Sequence, residues 1–313
     1  MNLGRLLNKY LLTTLGLQLV RRAEWADLKQ AASQKKAVAK RLSRLEENFS
    51  QLQRSFTKFR RGVRVRIHTV DCGQESFLQL ARLLSPHATV GHSKMRFGGE
   101  HDGGYVLLDD FEGIEAAFSF GVGPDCSWDL ELAERGIRTY QFDHTVDRAP
   151  VVHPNLSFFK RKIVSARDED GETIGGLLDR YGSNADANLL LKMDIEGDEW
   201  QVLEHAERRH LRKFAQIVCE FHGFDQAIRE EWRDRSKRVL QKLAADFEVV
   251  HVHGNNAAPF VSIGNVPFPR ILEVTFANRQ RDQFVGCEEL FPTSLDRSNI
   301  CDRADLFLGR FKF

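Results

Sequence analysis

No stretch of this 313-residue chain approaches the ~20 consecutive apolar residues of a membrane-spanning helix, and its start has no signal-peptide pattern ending in a small-residue cleavage site. Neither an integral membrane protein nor secretion by that route is expected. Paired cysteines are missing too. Cys72, Cys126, Cys219, Cys287 and Cys301 are odd in number and widely spaced, with no CxxC pair. That pattern excludes a disulfide framework or a zinc ribbon and fits a reducing cytoplasm. Internal repeats and low-complexity tracts are absent.

An overall excess of charge is also lacking, since the formal net charge is +1. This balance hides an asymmetry. Residues 1–66 hold 16 Lys/Arg against 4 Asp/Glu and the remainder 29 against 40, an arm of about +12 on a body of about −11. A basic segment of this kind meets anionic lipid, nucleic acid or an acidic partner. Nucleic-acid modification is disfavoured, because the body is acidic where a polyanion would have to approach.

The arm carries two patterns. Leu3, Leu6, Leu7, Tyr10, Leu11 and Leu15 fall at helical spacing beside Arg5 and Lys9, as in a helix lying on a membrane surface. Packing of that stripe on a protein partner is an equal alternative. Val38, Leu42, Leu45, Phe49, Leu52, Phe56, Phe59 and Val63 then alternate at steps of four and three, the seam of a coiled coil and thus of a homo-oligomer.

The body, residues 67–313, is rich enough in apolar residues for a sizeable core, at 42% of the whole chain. Its pattern is α/β. A helix at Glu75–Leu84 and a glycine-turn hairpin at Arg96–Leu108 precede strands at Ala116–Phe120, at residues ending in Phe142, near Leu156–Val164, at Leu189–Met193 and at Ala215–Glu220. Helices are expected at Ser127–Arg135, Ile174–Tyr181, after Asp198 and at Ala227–Ala244. Phe247–Val252 and Ile271–Ala277 are late strands that can form an antiparallel edge, joined by a loop rich in Gly, Asn and Pro. Such alternation predicts a mostly parallel sheet with helices on both faces. Trp128 and Trp200 are read as core.

In open parallel sheets ligands bind beyond the carboxyl ends of the strands. The first strand ends in Phe120-Gly121-Val122-Gly123, whose glycines admit a ligand to the backbone, and Asp143 closes the next strand 20 residues after Gly123, where a carboxylate can accept ribose hydroxyls. The dinucleotide fingerprint would need a third glycine at position 126, where Cys126 stands. S-adenosylmethionine carries no phosphate and needs no anion cradle.

Four segments together, Asp102-Gly103-Gly104-Tyr105, Phe118–Gly123, Phe142-Asp143-His144 and Leu191–Trp200, resemble the FkbM-type and related methyltransferase-like proteins. In that family a Lys-x-Asp-x-Glu-Gly-x-Glu block follows the fourth strand, matched here by Lys192, Asp194, Glu196, Gly197 and Glu199. The resemblance covers roughly residues 96–278 and leaves the arm aside. It implies a seven-stranded Rossmann-like methyltransferase sheet, S-adenosylmethionine as methyl donor and an oxygen acceptor on a sugar, glycan or other small metabolite. The expected cofactor contacts are Asp102, Gly103, Gly104, Tyr105, Phe120, Gly121, Val122, Gly123, Asp125, Ser127, Asp143, His144 and Asp194. Many methyltransferases carry an acid two positions before the first loop glycine, where this chain has Ser119. Asp102 or Asp125 is then expected to hold the methionine amine.

A sugar hydroxyl must lose its proton during transfer, which calls for a positioned base or a divalent metal. Asp194, Glu220, His222 and His253 lie at successive strand ends and are the catalytic candidates, with Asp194, Glu220 and His222 as metal ligands; Asn255 and Asn256 follow on the same sheet edge. Their alternative role is to cap turns and fill loops. His251 and His253 are read as alternating, so that one at most faces the site, and Glu273 is read as a buried charge in need of a partner. Two other functions compete: a catalytically inactive scaffold working through its coiled coil, and a nicotinamide-dependent oxidoreductase. Localisation is expected to be cytoplasmic, with peripheral membrane contact through the first helix as one use of the arm.

Overall fold

The computed structural model describes residues 69–70, 73–166, 171–182 and 188–313. The chain divides into units of residues 1–65 and 66–313. The membrane helix and coiled coil expected in the arm lie outside the described residues. No helix among the described residues is long and apolar enough to cross a membrane.

Seven strands form the central sheet: β1 (Ala116–Phe120), β2 (Arg138–Phe142), β3 (Leu156–Phe159), β4 (Leu189–Met193), β5 (Phe214–Phe221), β6 (Phe247–Gly254) and β7 (Leu272–Asn278). Their spatial order is β3-β2-β1-β4-β5-β7-β6. The first five run parallel, and β7 is antiparallel to both β5 and β6. The antiparallel edge expected from the sequence is present, with β7 inserted between β5 and β6. Strand order reverses between β1 and β4, which is where a doubly wound sheet opens a crevice.

Apolar alternation decides the two faces. Phe118, Phe120, Leu189, Leu191, Met193, Ile217 and Cys219 point into one cluster, covered by α1 (Gln74–Ala81), α3 (Ile174–Tyr181), α4 (Glu199–His205) and α6 (Glu230–Ala244). In α6 the buried residues Trp232, Ser236, Val239, Leu240 and Leu243 recur at helical spacing on an otherwise charged helix. Each fully buried Leu or Phe in this layer stabilises the fold by roughly 1.5–3 kcal/mol. Trp200 stacks on Phe221 at 4.3 Å, so it is a core residue, and Trp128 is buried in the opposite layer.

That opposite layer departs from the expected helical cover. Ala117, Leu190 and Val218 are covered by α2 (Ser127–Glu134) together with a hairpin, Lys94–Phe97 paired to Tyr105–Leu108. The hairpin turn depends on glycine. A Cβ on Gly104 would stand 2.3 Å from the Gly99 carbonyl oxygen, and Gly103 adopts a φ of +84°. The loop between β6 and β7 also holds more structure than expected, since Phe260–Ile263 and Val266–Pro269 form a hairpin joined by Thr69–Val70. A short helix α5 (Arg208–Leu211) leads into β5.

Candidate active site

At the β1/β4 crossover a cavity of about 720 Å³ opens, lined by Asp102 and Gly103 of the hairpin, Gly121 to Asp125 of the loop after β1, Asp143 to Thr145 after β2, and residues 161–163 after β3. Lys192 and Asp194 to Glu196, with Asp198, complete it from β4. Gly121 sits at φ +78°, and a Cβ there would come within 1.6 Å of the Asp194 carbonyl oxygen. Only glycine lets the loop pass over the end of β4.

Asp143 organises this loop. Its Oδ2 accepts from the Val122 and Gly123 amides at 2.8 and 2.9 Å, and its Oδ1 accepts from the Thr145 amide and hydroxyl at 2.7 Å each. Burial would raise its pKa, but the bonds from Gly123, Thr145 and Val122 outweigh burial and hold it below the ordinary value. All four acceptor directions are engaged, so a ribose would share or displace the Thr145 contacts. Asp125 Oδ1 accepts from the Ser127 amide at 2.8 Å, which puts a carboxylate on the first turn of α2.

The expected cofactor residues divide accordingly. Asp102, Gly103, Gly121, Val122, Gly123, Asp125, Asp143, His144 and Asp194 line the cavity. Gly104, Tyr105, Phe120 and Ser127 do not. Phe120 points to the other face of the sheet, packed edge-on against Phe142, because alternation along β1 turns it away from the crevice side. Tyr105 is buried, and its hydroxyl donates to Asp194 Oδ2 at 3.2 Å. Ser127 has its amide capped, and Gly104 is closed in by Arg96 and Gly99.

At the far end Asp194, Glu220 and His222 converge, one ligand-type atom from each lying within 4.8 Å of the others. Trp200 Nε1 donates to the His222 carbonyl at 2.8 Å and fixes that turn. Glu199 Oε1 accepts from the Ile195 and Gly197 amides and from His222 Nδ1 at 3.1 Å. The other imidazole nitrogen, Nε2, faces Glu220 Oε1 at 3.5 Å and Glu196 Oε2 at 3.6 Å. Glu220 also stands directly opposite Glu273 in the β5–β7 register, and Asn255 donates to its Oε1 at 2.9 Å.

The electrostatics follow from this crowding. Burial raises the Asp194 carboxyl to about 6, with Glu196 and Glu199 adding to the shift while Lys192 and His222 oppose it. Burial and the neighbouring Asp194, Glu273 and Asp102 push Glu220 well above the carboxylate range. Burial would lower His222, but the bond to Glu199 and the charges of Glu199, Asp194 and Glu196 together raise it. Asp194 Oδ1 and Glu220 Oε2 are buried without a hydrogen-bond partner among the described residues. Two unpartnered carboxylate oxygens beside an oriented imidazole suit a divalent metal, and Asp194, Glu220 and His222 would hold it.

His253 has a different role. Its Nδ1 meets Glu273 Oε2 at 3.0 Å and its Nε2 meets both Asp305 oxygens at 3.0 Å. Burial would lower its pKa, but the two carboxylates raise it to about 11, so it stays protonated and is no general base near neutrality. His251 pairs with Asp296 at 2.8 Å on the same side of β6, because residues two apart on a strand share a face. The alternation expected for these two histidines is therefore corrected. Both hold the C-terminal segment, and Asn299 ties that segment to Asp102 and Glu273.

Lys192 stands in the family block without a site role expected for it, and no role was expected for Lys162 and Asp198, which pair at 2.7 Å on the cavity wall. Lys192 had a signal, being a lone charge inside the apolar run Leu189–Met193. The C-terminal carboxylates Asp296 and Asp305 had none.

No family model matches the chain, and no curated protein matches it. Among solved structures it is similar to a prophage-encoded E. coli protein named as a DNA modification methyltransferase, at 12% identity and a TM-score of 0.34 over 53% of this chain and 47% of that one. It is also similar to a variant of the 16S rRNA (adenine(1408)-N(1))-methyltransferase from Catenulisporales acidiphilia, at 15% identity and 0.27 over 59% and 96% of the two chains. A third likeness, to the methyltransferase CalO6, has 14% identity and 0.26 over 54% and 58%. The chain spans about half the length of the first of these. With TM-scores below 0.5, these likenesses carry no weight in assigning a substrate.

Proposed function

We propose that this protein is an S-adenosylmethionine-dependent methyltransferase acting on a hydroxyl oxygen of a sugar, glycan or related small metabolite, with a divalent metal at Asp194, Glu220 and His222. The observation that carries this reading is the charge of the crevice. Six carboxylates, those of Asp102, Asp125, Asp143, Asp194, Glu196 and Asp198, line it against three cations, Arg161, Lys162 and Lys192, so its charge is acidic on balance. Asp125 also accepts from the Ser127 amide at the start of α2, where its negative charge opposes a pyrophosphate. A cationic, phosphate-free nucleoside suits such a lining, and a dinucleotide does not. This argues against the nicotinamide reading, as does Cys126 at the place of the third glycine.

S-adenosylmethionine supplies an electrophilic methyl group when bound. The chain's own part is to hold the loop amides at Val122 and Gly123 with Asp143, and to offer carboxylates at Asp102 and Asp125 to an ammonium group. At the far end a bound metal would acidify the acceptor hydroxyl, and Asp194 would orient it or take its proton. Anionic acceptors are disfavoured by Glu196, Glu220 and Glu273. For the arm we propose homo-oligomerisation through its heptad seam, and contact of its basic first helix with a membrane or a partner protein.

The test is isothermal titration with S-adenosylmethionine, S-adenosylhomocysteine and NADH, with and without EDTA, followed by a screen of neutral sugar acceptors with added Mn²⁺ or Mg²⁺. Binding of the first two but not of NADH, and EDTA-sensitive methyl transfer, are expected. Absence of binding by either sulfur nucleoside sinks the reading and returns weight to the scaffold function.

A further inference from the structure

A row of polar side chains crosses the sheet directly beneath the glycine loop. Gln141 of β2, Ser119 of β1 and Lys192 of β4 are register neighbours on adjacent strands, and all three are buried. Asp129, from the first turn of α2, is fully buried against the same row. Burial raises its carboxyl, while the charge of Lys192 and the neighbouring Ser119 and Gln141 draw it back down. A carboxylate therefore does sit over position 119, but it comes from the helix.

The lysine is the costly member. A buried ammonium on a central strand needs compensation. Lys192 Nζ donates to the Gly121 carbonyl at 2.5 Å and lies 5.7 Å from the centre of the Tyr105 ring. Gly121 is the residue that cannot carry a Cβ because it rides over the Asp194 carbonyl, and its amide donates to the Phe142 carbonyl at 3.0 Å. The next two amides, of Val122 and Gly123, are those bound by Asp143. One ammonium thus fixes the carbonyl at the hinge of the loop. The Asp129 oxygens, Ser119 Oγ and the Gln141 amide make no hydrogen bond of good geometry among the described residues. Asp129 therefore acts on Lys192 through charge.

We propose that Lys192 and Asp129 form a buried positioning unit for the cofactor loop, Lys192 clamping the Gly121 carbonyl and Asp129 supplying the counter-charge from α2. Its consequence for S-adenosylmethionine rests on the methyltransferase reading above. Its consequence for the loop does not.

The experiment uses the full chain and the variants Lys192→Met, Lys192→Arg, Asp129→Asn and the double variant Lys192→Met/Asp129→Asn. Three readouts are taken: amide hydrogen exchange at Val122 and Gly123 without ligand, S-adenosylmethionine affinity and thermal stability. A lost charge-assisted bond predicts that Lys192→Met speeds exchange and weakens cofactor binding by about tenfold or more. Lys192→Arg should retain most of both. The double variant, which lacks both the ammonium and the Asp129 carboxylate but still leaves Asp194 without the Lys192 charge, should recover part of the thermal stability lost in Lys192→Met while its loop exchange and affinity stay impaired. Recovery of affinity along with stability would reduce the pair to a structural role. So would unchanged exchange in Lys192→Met. If the wild type binds no S-adenosylmethionine, the methyltransferase reading fails, and the exchange data still decide the loop clamp.

Discussion

At the β1–β2 end of the crevice the carboxylates have protein partners, whereas at the β4–β5–β7 end carboxylates crowd together with oxygens left over. Asp143 accepts four hydrogen bonds and its pKa falls. Asp194 and Glu220 each keep a buried unpartnered oxygen, and their pKa values rise. The first arrangement is preorganised and presents a finished surface. The second leaves carboxylate oxygens unpartnered among the described residues, an arrangement that would suit a cation. Two histidines repeat the contrast: His222 is oriented by Glu199 with its second nitrogen facing the site, while His253 is sealed on both nitrogens.

The contrast is broken most directly at Asp194. If that end is the reacting end, Asp194→Ala lowers kcat by roughly 100- to 10 000-fold while cofactor affinity changes by a few-fold at most. A matching loss of affinity would mean that the two ends do not divide the work. His253→Ala tests the opposite assignment. Leaving the buried Glu273 and the part-buried Asp305 without their shared cation should cost roughly 3 kcal/mol of stability, read by denaturant unfolding, with cofactor affinity preserved in the folded fraction.

The same ion pairs predict a pH window. His253 has a folded pKa raised to about 11, so its contribution is complete below its ordinary value of 6.5 and is lost as pH rises through about 11. Asp296 is held down to about 2, the charge and hydrogen bond of His251 outweighing burial, so its contribution is present above 3.8 and lost as pH falls through about 2. Unfolding free energy measured against pH should therefore decline on the alkaline side, and His253→Ala should flatten that decline. Smallest of all, Asn255→Ala removes one bond to Glu220 and should cost about 1 kcal/mol, seen as a modest fall in melting temperature.

Much of the crevice was legible from the chain alone because its parts are local. A glycine loop after a strand, an acid at the next strand's end and the Lys192–Glu199 block are each a few residues long, and each lies where the pattern of apolar strands puts it. Phe120 and Tyr105 stand off the cavity for a physical reason. Proximity in sequence to a loop does not say which face a strand residue takes, nor that a tyrosine hydroxyl will turn inward to a carboxylate 89 residues away. His253 looked like Asp194, a polar residue at a strand end, until Asp305 arrived from the C-terminal segment.

Local pattern alone carried the alternation of strands and helices, the glycine loop that follows β1 and the chemical types gathered at the strand ends. These follow from side-chain period and backbone sterics, which act over short distances. Tertiary structure alone decided which of those groups are satisfied. Whether a carboxylate is a structural partner or a waiting ligand depends on the charges that distant segments bring within a few ångströms, and no local pattern encodes them.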